Sequence, residues 1–175
     1  MQPVIFALDE RLANPGDTLP WAGHLDETGY TLGQDFTLPE GIDFDIALTN
    51  AGEGILASGI LRAHVKGTCD RCLEDAEFDV SAEVDEYYLF EEPEHVEGED
   101  DDVEFSLVSE DHTIDLSDAF LSALVMETPF VVLCREDCKG LCPVCGANLN
   151  EVDCGCVVEP DPDFERPNPF AVLAG

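Results

Sequence analysis

Gly54-Ile-Leu-Ala-Ser-Gly-Ile-Leu-Arg-Ala-His-Val-Lys-Gly67 runs directly into Thr68-Cys69-Asp70-Arg71-Cys72, and Phe78, Val80, Ala82 and Val84 follow at every second position. In the first segment Ile60, Arg62, His64 and Lys66 alternate with Leu61, Ala63 and Val65. A period of two sends successive side chains to opposite faces of a strand. Two such strands joined through Cys-x-x-Cys make a knuckle at the end of a long antiparallel pair. Working outward toward the N-terminus, Phe44, Ile46 and Leu48 could line one face of a further strand within Phe36 to Asn50. Toward the C-terminus, the second alternating run ends in Tyr87-Tyr-Leu-Phe90. Residues 1–35 are mixed, with turn signals at Asn14-Pro15-Gly16-Asp17, Gly29 and Gly33, and Trp21 reads as a core or interface aromatic.

One helix is clearly signalled. Leu116, Ala119, Phe120, Ala123 and Leu124 fall at i, i+3, i+4, i+7 and i+8, the spacing of a single helical face. Asp115 can serve as N-cap, Asp118 sits where the helix dipole favours negative charge, and Pro129 ends the element. Phe130 to Leu133 then reads as a short buried strand leading into the cysteines. The expected fold is therefore α+β: a mainly antiparallel sheet, one helix near 116–127 and a C-terminal cysteine-rich zinc-binding module. The expected divisions are an α+β domain over 1–133, the module over 134–157 and an irregular Pro-rich tail over 158–175. Nine of the fourteen residues from 91 to 104 are acidic, so that stretch has little to bury and reads as a mobile loop.

Forty acidic residues against seven basic give a formal net charge of −33. That excess opposes broad nucleic-acid binding, which needs cations to neutralise phosphate. It favours basic partners, or simply solubility in a salty cytoplasm where repulsion is screened. The start, Met1 to Arg11, lacks the basic segment and long apolar run of a secretory leader. The longest apolar stretch, Ala119 to Cys134, is broken by Glu127 and Pro129 and is not a membrane span. A cytoplasmic location is expected, and in a reducing cytosol clustered cysteines hold metal more often than they form disulfides.

The eight cysteines make two complete four-ligand sets. Structural zinc takes four ligands in a tetrahedron, and closely spaced thiolate pairs grip the ion with little loss of chain entropy. Cys142, Cys145, Cys154 and Cys156 lie within fifteen residues, with eight between the inner pair. This set could close locally as a small ribbon, and Gly146 after the second cysteine relieves crowding where the backbone curls. The remaining set is Cys69, Cys72, Cys134 and Cys138, with 61 residues between its inner pair. Loop entropy separates the two closures by only roughly 1.8 kcal/mol, against about 10–16 kcal/mol for a structural zinc in a small peptide. The long closure is thus allowed, and two zinc ions in this partition are expected. One zinc with four free thiols, an iron site and a thiol redox pair stay open as alternatives. His24, His64, His95 and His112 show no ligand spacing, and no G-x-S-x-G, Walker-type or H-E-x-x-H motif occurs. The reading is of a non-enzyme.

Five of the seven basic residues, Arg62, Lys66, Arg71, Arg135 and Lys139, lie near cysteines in sequence. If the long-range set closes, they are expected to converge on it. They would then either offset the −2 charge of a four-thiolate zinc centre or form a small basic pole able to touch RNA phosphate.

From about Phe44 onward the chain resembles the bacterial YceD family of large ribosomal RNA subunit accumulation proteins. The resemblance is carried by Cys69-Asp-Arg-Cys72-Leu73 after a strand, by the helix ending in Glu127-Thr-Pro129, by Cys138-Lys-Gly-Leu-Cys-Pro-Val-Cys-Gly-Ala-Asn-Leu-Asn150, and by Pro167-Asn-Pro-Phe-Ala-Val-Leu173. It implies a part in making or accumulating large-subunit ribosomal RNA, and it supplies no catalytic residues. Three classes compete: an assembly factor that binds precursor ribosomal RNA, an acidic binder of a basic ribosomal protein whose zinc only holds the fold, and a thiol redox enzyme or a nuclease. No membrane partner and no small-molecule substrate is expected.

Overall fold

The computed structural model describes residues 1–92 and 106–157. The acidic stretch expected to be a loop at 91–104 lies outside the described residues except for its first two positions, and so does the tail from 158 onward. Strands β6 (Gly54–Thr68) and β7 (Asp75–Leu89) pair antiparallel along their whole length, from Gly54 opposite Leu89 to Thr68 opposite Asp75. On the other side of β6, strand β5 (Ile42–Asn50) pairs with its first half, and β2 (Thr18–Leu25) pairs with β5. Strands β3 (Gly29–Leu32) and β4 (Gln34–Thr37) form a hairpin that joins β6 where Thr37 faces Lys66. The short β8 (Ser106–Leu107) runs parallel to β7. A separate two-stranded piece pairs β1 (Ile5–Ala7) with β9 (Thr113–Asp115). Helix α1 spans Ser117–Glu127. The α+β expectation holds.

The alternation sorts the sheet into two unlike faces. Phe44, Ile46, Leu48, Leu61, Val80 and Val84 are buried on the inner face, where α1 packs against β7 and contributes Phe120 and Leu124. Phe120 meets Phe44 with ring centroids 5.5 Å apart, and Trp21 sits 4.9 Å from both Phe6 and Phe44. Opposed to these, Asp43, Asp45, Glu77, Asp79, Glu83 and Asp85 are exposed on the outer face. β2, β3 and the start of β4 lie in the stretch read only as mixed sequence with turns. Its strands are short, and Gly23, Gly29 and Pro20 within them blur the period.

Two local readings are corrected. Asp115 is not the N-cap residue, because it is engaged in β9 opposite Ile5. Leu116 occupies the cap position without a side-chain hydrogen bond. The Asp115 carboxylate still accepts the Ser117 amide at 2.9 Å, two residues on, as the side chain of a cap would. Phe130 to Leu133 is not a buried strand. Phe130 is fully exposed and Val131 exposed, while only Val132 is buried. Val132 has no strand neighbour. Its amide donates to Asp70 Oδ2 at 2.7 Å and its carbonyl accepts the Asp70 amide at 2.8 Å. That pair of bonds fixes a single residue against the knuckle and leaves its neighbours outside.

At the helix end, Thr128 Oγ1 donates to the Leu124 carbonyl at 2.7 Å and lies 2.6 Å from the Tyr30 hydroxyl, all in buried surroundings. Burial pushes the Tyr30 hydroxyl above its ordinary pKa. Thr128→Val removes the hydroxyl that partners Tyr30 and is expected to cost about 1–3 kcal/mol. Thr128→Ser should retain most of the stability, both read from denaturant midpoints. On the outer face, His64 Nδ1 lies 2.8 Å from Asp79 Oδ1 and His24 Nδ1 lies 2.7 Å from Asp43 Oδ1. These carboxylates raise both imidazoles above the ordinary histidine value. A raised folded-state pKa stabilises fully below the unfolded value of about 6.5 and loses its effect as pH rises through the folded pKa. NMR titration should therefore place both rings above that value, and Asp79→Asn should bring His64 back toward it.

Candidate metal centre

The turn between β6 and β7 is built by backbone bonds that need no metal. The Cys69 amide donates to the Glu74 carbonyl at 2.8 Å, and the Leu73 amide donates to the Cys69 carbonyl at 2.9 Å. The same pattern recurs in the C-terminal segment. There the Cys142 amide donates to the Ala147 carbonyl at 2.8 Å and the Gly146 amide to the Cys142 carbonyl at 2.8 Å. In both turns the residue after the second cysteine takes a left-handed backbone, with φ of 62° at Leu73 and 74° at Gly146. The two Cys-x-x-Cys segments thus form the same knuckle, one with glycine at the strained position and one with leucine. The leucine is 65% exposed, so it gains little from packing in return for its strain.

The knuckles aim their amides at sulfur. Burial pushes the Cys69 thiol up, but bonds from the backbone of Cys134, Cys72 and Arg71 outweigh it and bring Cys69 down to about 6. In the second knuckle, bonds from the backbone of Cys145 and Val144 bring Cys142 down to about 6. The last cysteine to deprotonate in each group moves the other way. Burial and the sulfurs of Cys72, Cys138 and Cys69 push Cys134 up to about 12, and the sulfurs of Cys145 and Cys154 push Cys156 up to about 12. In each group neighbouring sulfurs oppose loss of a further proton, and a divalent cation would offset that repulsion.

The sulfurs converge in the expected partition. Those of Cys69, Cys72, Cys134 and Cys138 lie within 4.8 Å of one another, as do those of Cys142, Cys145, Cys154 and Cys156. Cys69 Sγ is 3.8 Å from Cys138 Sγ, and Cys72 Sγ is 3.6 Å from Cys134 Sγ. A tetrahedron with metal–sulfur bonds of about 2.3 Å separates its sulfurs by about 3.8 Å. The four-sulfur sets therefore fit a tetrahedral ion. The first group is enclosed by Cys69, Cys72 and Cys138, all buried, and is most open at Cys134. The second is more open, with only Cys142 buried.

Side chains and backbone then tie the two groups together. Arg71 Nη1 donates to the Cys138 carbonyl at 2.9 Å, and the Leu141 amide donates to the Arg71 carbonyl at 3.0 Å. Asn150, on the far arm of the ribbon, donates from Nδ2 to Cys138 Sγ at 3.3 Å and accepts the Lys139 amide at 2.8 Å. Sequence reasoning did not single out Asp70, Leu73 or Asn150. Their only signal was their place inside the cysteine segments.

The five basic residues do not all converge. Arg71 touches the first group, and Arg135 and Lys139 adjoin Cys134 and Cys138. Arg62 faces Asp43 and Ser81 in the sheet, seven residues from Cys69, or about 23 Å along an extended strand. Lys66 is bound to Glu77 at 2.5 Å, and Arg135 lies 3.4 Å from Asp137. No ion pair involves Lys139 among the described residues. A strand projects alternate residues to one face but also carries them steadily away from its end, which is why closeness in sequence did not become closeness in space for Arg62. No helix among the described residues is long and apolar enough to cross a membrane.

A family model described as large ribosomal RNA subunit accumulation protein YceD matches residues 57–175, a span that contains all eight cysteines. Among individual relatives, proteins of Mycobacterium bovis and Mycobacterium tuberculosis, both named only as uncharacterised, are 34% identical over 108 residues. Those alignments cover 62% of this chain and 51% of the relatives. An uncharacterised protein of Mycobacterium leprae is 30% identical over 129 residues, covering 74% of this chain and 55% of its own. The alignments thus span about half the length of these relatives. No solved structure matches.

Two glycines rank the constraints on the module. Gly140 has φ of 75°, and a Cβ there would lie 2.9 Å from the Arg71 carbonyl oxygen; Gly146 has φ of 74° with open space around it. Gly146→Ala should cost about 1–2 kcal/mol, the left-handed strain alone. Gly140→Ala should cost more, because it also forces the module away from the first knuckle. Thermal melts of the two variants check the order.

Proposed function

The chain belongs to the YceD family, and from that membership we propose that it is a ribosome biogenesis factor needed for the synthesis, processing or accumulation of large-subunit ribosomal RNA. The observation that carries the reading is a family match that runs unbroken across both four-cysteine groups. In this reading the protein is not an enzyme. Its eight cysteines are structural ligands for two zinc ions, Cys69, Cys72, Cys134 and Cys138 holding one and Cys142, Cys145, Cys154 and Cys156 the other. Zinc, when bound, supplies a crosslink between chain segments and neutralises thiolate charge. All four positions of each tetrahedron are taken by sulfur, which suits a structural rather than a catalytic ion.

The chain's own residues then place the module. Asp70 holds Val132, Arg71 holds Cys138 and Leu141, and the segment carrying Arg135 and Lys139 is fixed at the end of the β6–β7 hairpin. Arg71, Arg135 and Lys139 are the candidates for contact with RNA at this pole, while Arg62 and Lys66 sit farther along the sheet. The commitment of Arg71 to Cys138 favours the structural role for that residue. The exposed carboxylates of the outer sheet face favour a second reading, in which the protein binds a basic ribosomal protein. We place the protein in the cytoplasm, where either partner is made.

Three measurements test this. Deleting the gene should lower large-subunit ribosomal RNA relative to small-subunit RNA, and an unchanged ratio would overturn the function. Elemental analysis of the purified chain should give two zinc per molecule. Co-sedimentation with ribosomal particles separates the partners: binding lost on RNase treatment, or in Arg71 and Lys139 variants that retain zinc, supports RNA. Binding that survives RNase but not high salt supports a basic protein.

A further inference from the structure

The run Cys138 to Asn150 ends on an asparagine whose placement joins the two cysteine groups. Asn150 belongs to the ribbon, beyond Cys145 and before Cys154. It lies where Leu141 bridges Asn148 and where the Leu149 amide donates to the Gly140 carbonyl at 2.9 Å. Its side chain nevertheless serves the other group. The orientation of its amide is determined chemically, since the Lys139 amide can only donate and must therefore face Oδ1. Nδ2 is thereby turned to Cys138 Sγ, at 3.3 Å. The ribbon turn is itself held by Asn148, whose Oδ1 accepts the Asn150 amide at 3.0 Å and whose carbonyl accepts the amides of Glu151 and Val152 at 3.1 Å each.

We propose that Asn150 is a positioning residue for the first cysteine group, through which closure of the ribbon strengthens metal binding at Cys69, Cys72, Cys134 and Cys138. The inference rests on the reading of both groups as metal sites. Its physical basis is that an N–H donor to a ligating thiolate orients the sulfur, and loss of such outer contacts typically weakens metal affinity by about 10–100-fold. Asn150 is fixed in space only if its own loop is fixed. That loop is closed by Cys142, Cys145, Cys154 and Cys156, while the sulfur it serves precedes Cys142 by four residues. The coupling acts on the Cys138 sulfur through one side chain, separate from the Leu141–Arg71 backbone bond, so substituting Asn150 tests it alone. It also makes the ribbon, the more open of the two groups, the element on which the buried group depends.

The experiment is competition of the full-length chain, loaded with zinc, against a graded series of chelators, with native mass spectrometry to count ions. Alkylation footprinting assigns each loss to a cysteine group. Asn150→Asp retains the acceptor for Lys139 and replaces the donor with an acceptor. It should weaken the first group about tenfold or more and leave the ribbon unchanged. Asn150→Ala should do the same, and circular dichroism verifies that both variants remain folded. The pair Cys154→Ser and Cys156→Ser removes the ribbon ion. It should weaken the first group to a similar extent, and adding Asn150→Asp to it should have little further effect. A first group that keeps wild-type affinity in Asn150→Asp, or after the ribbon ion is lost, overturns the coupling alone. A wild-type chain that takes up fewer than two ions overturns the metal reading beneath it.

Discussion

Four sulfurs meeting at the end of a hairpin of two fifteen-residue strands is the constraint from which the rest of this architecture follows. β6 and β7 stay in register along their whole length, so the turn between them is delivered to one place at the edge of the sheet. The knuckle closes there through its own backbone bonds. Its cysteines capture two more from a segment that begins after 61 intervening residues. The described residues from Val132 onward are tied to that end of the hairpin. Asp70 takes the backbone of Val132, Arg71 takes those of Cys138 and Leu141, and the ribbon hangs from the same point. Among the described residues the segment after α1 has no named strand, and these bonds act together with the packing of Val132, Cys138 and Leu141 on the core.

Charge explains why the arrangement is needed. A chain of net charge −33 repels itself, and the carboxylates of Asp43, Asp45, Glu77, Asp79, Glu83 and Asp85 lie exposed on the outer sheet face, which no second layer covers among the described residues. Apolar burial of one face by one helix offsets the repulsion across the sheet. It reaches the first cysteine group only through Cys69, Cys72, Val132 and Cys138, while Phe130, Val131, Val144 and Val152 stay exposed and add little core. In such segments local crosslinks and short hydrogen bonds carry the fold. A cation bound to four thiolates is suited to this setting because it reduces negative charge as it fixes geometry.

The parts legible in the sequence are those governed by one strong periodicity. Phe44, Ile46 and Leu48, the alternation through β6 and β7, and the face of α1 were readable because inward and outward residues differ so sharply. The cysteine partition was readable because spacing left a local set and a remainder, and the entropy difference was too small to forbid closing the remainder. The errors have equally specific causes. Phe130 to Leu133 was apolar enough for a buried strand, but Asp70 supplies bonds for only one residue. Asp115 was capable of capping, but β1 had already claimed it. Arg62 was near the cysteines along the chain, and an extended strand turned those seven residues into distance.

The repeated knuckle bears on how the two groups differ. Both use the same turn, yet one places Gly146 at its left-handed position and the other Leu73. A glycine there accepts the conformation at no steric cost, so the ribbon can form with little help from its surroundings. Leu73 carries strain that must be met elsewhere, and the surrounding structure meets it: the knuckle is held by a long hairpin on one side and by Val132, Leu141 and Cys138 on the other. The first group therefore depends on tertiary context while the ribbon depends mainly on its own chain. That difference gives Asn150 its importance. It is the side chain by which the self-sufficient ribbon lends order to a sulfur of the group that cannot assemble alone.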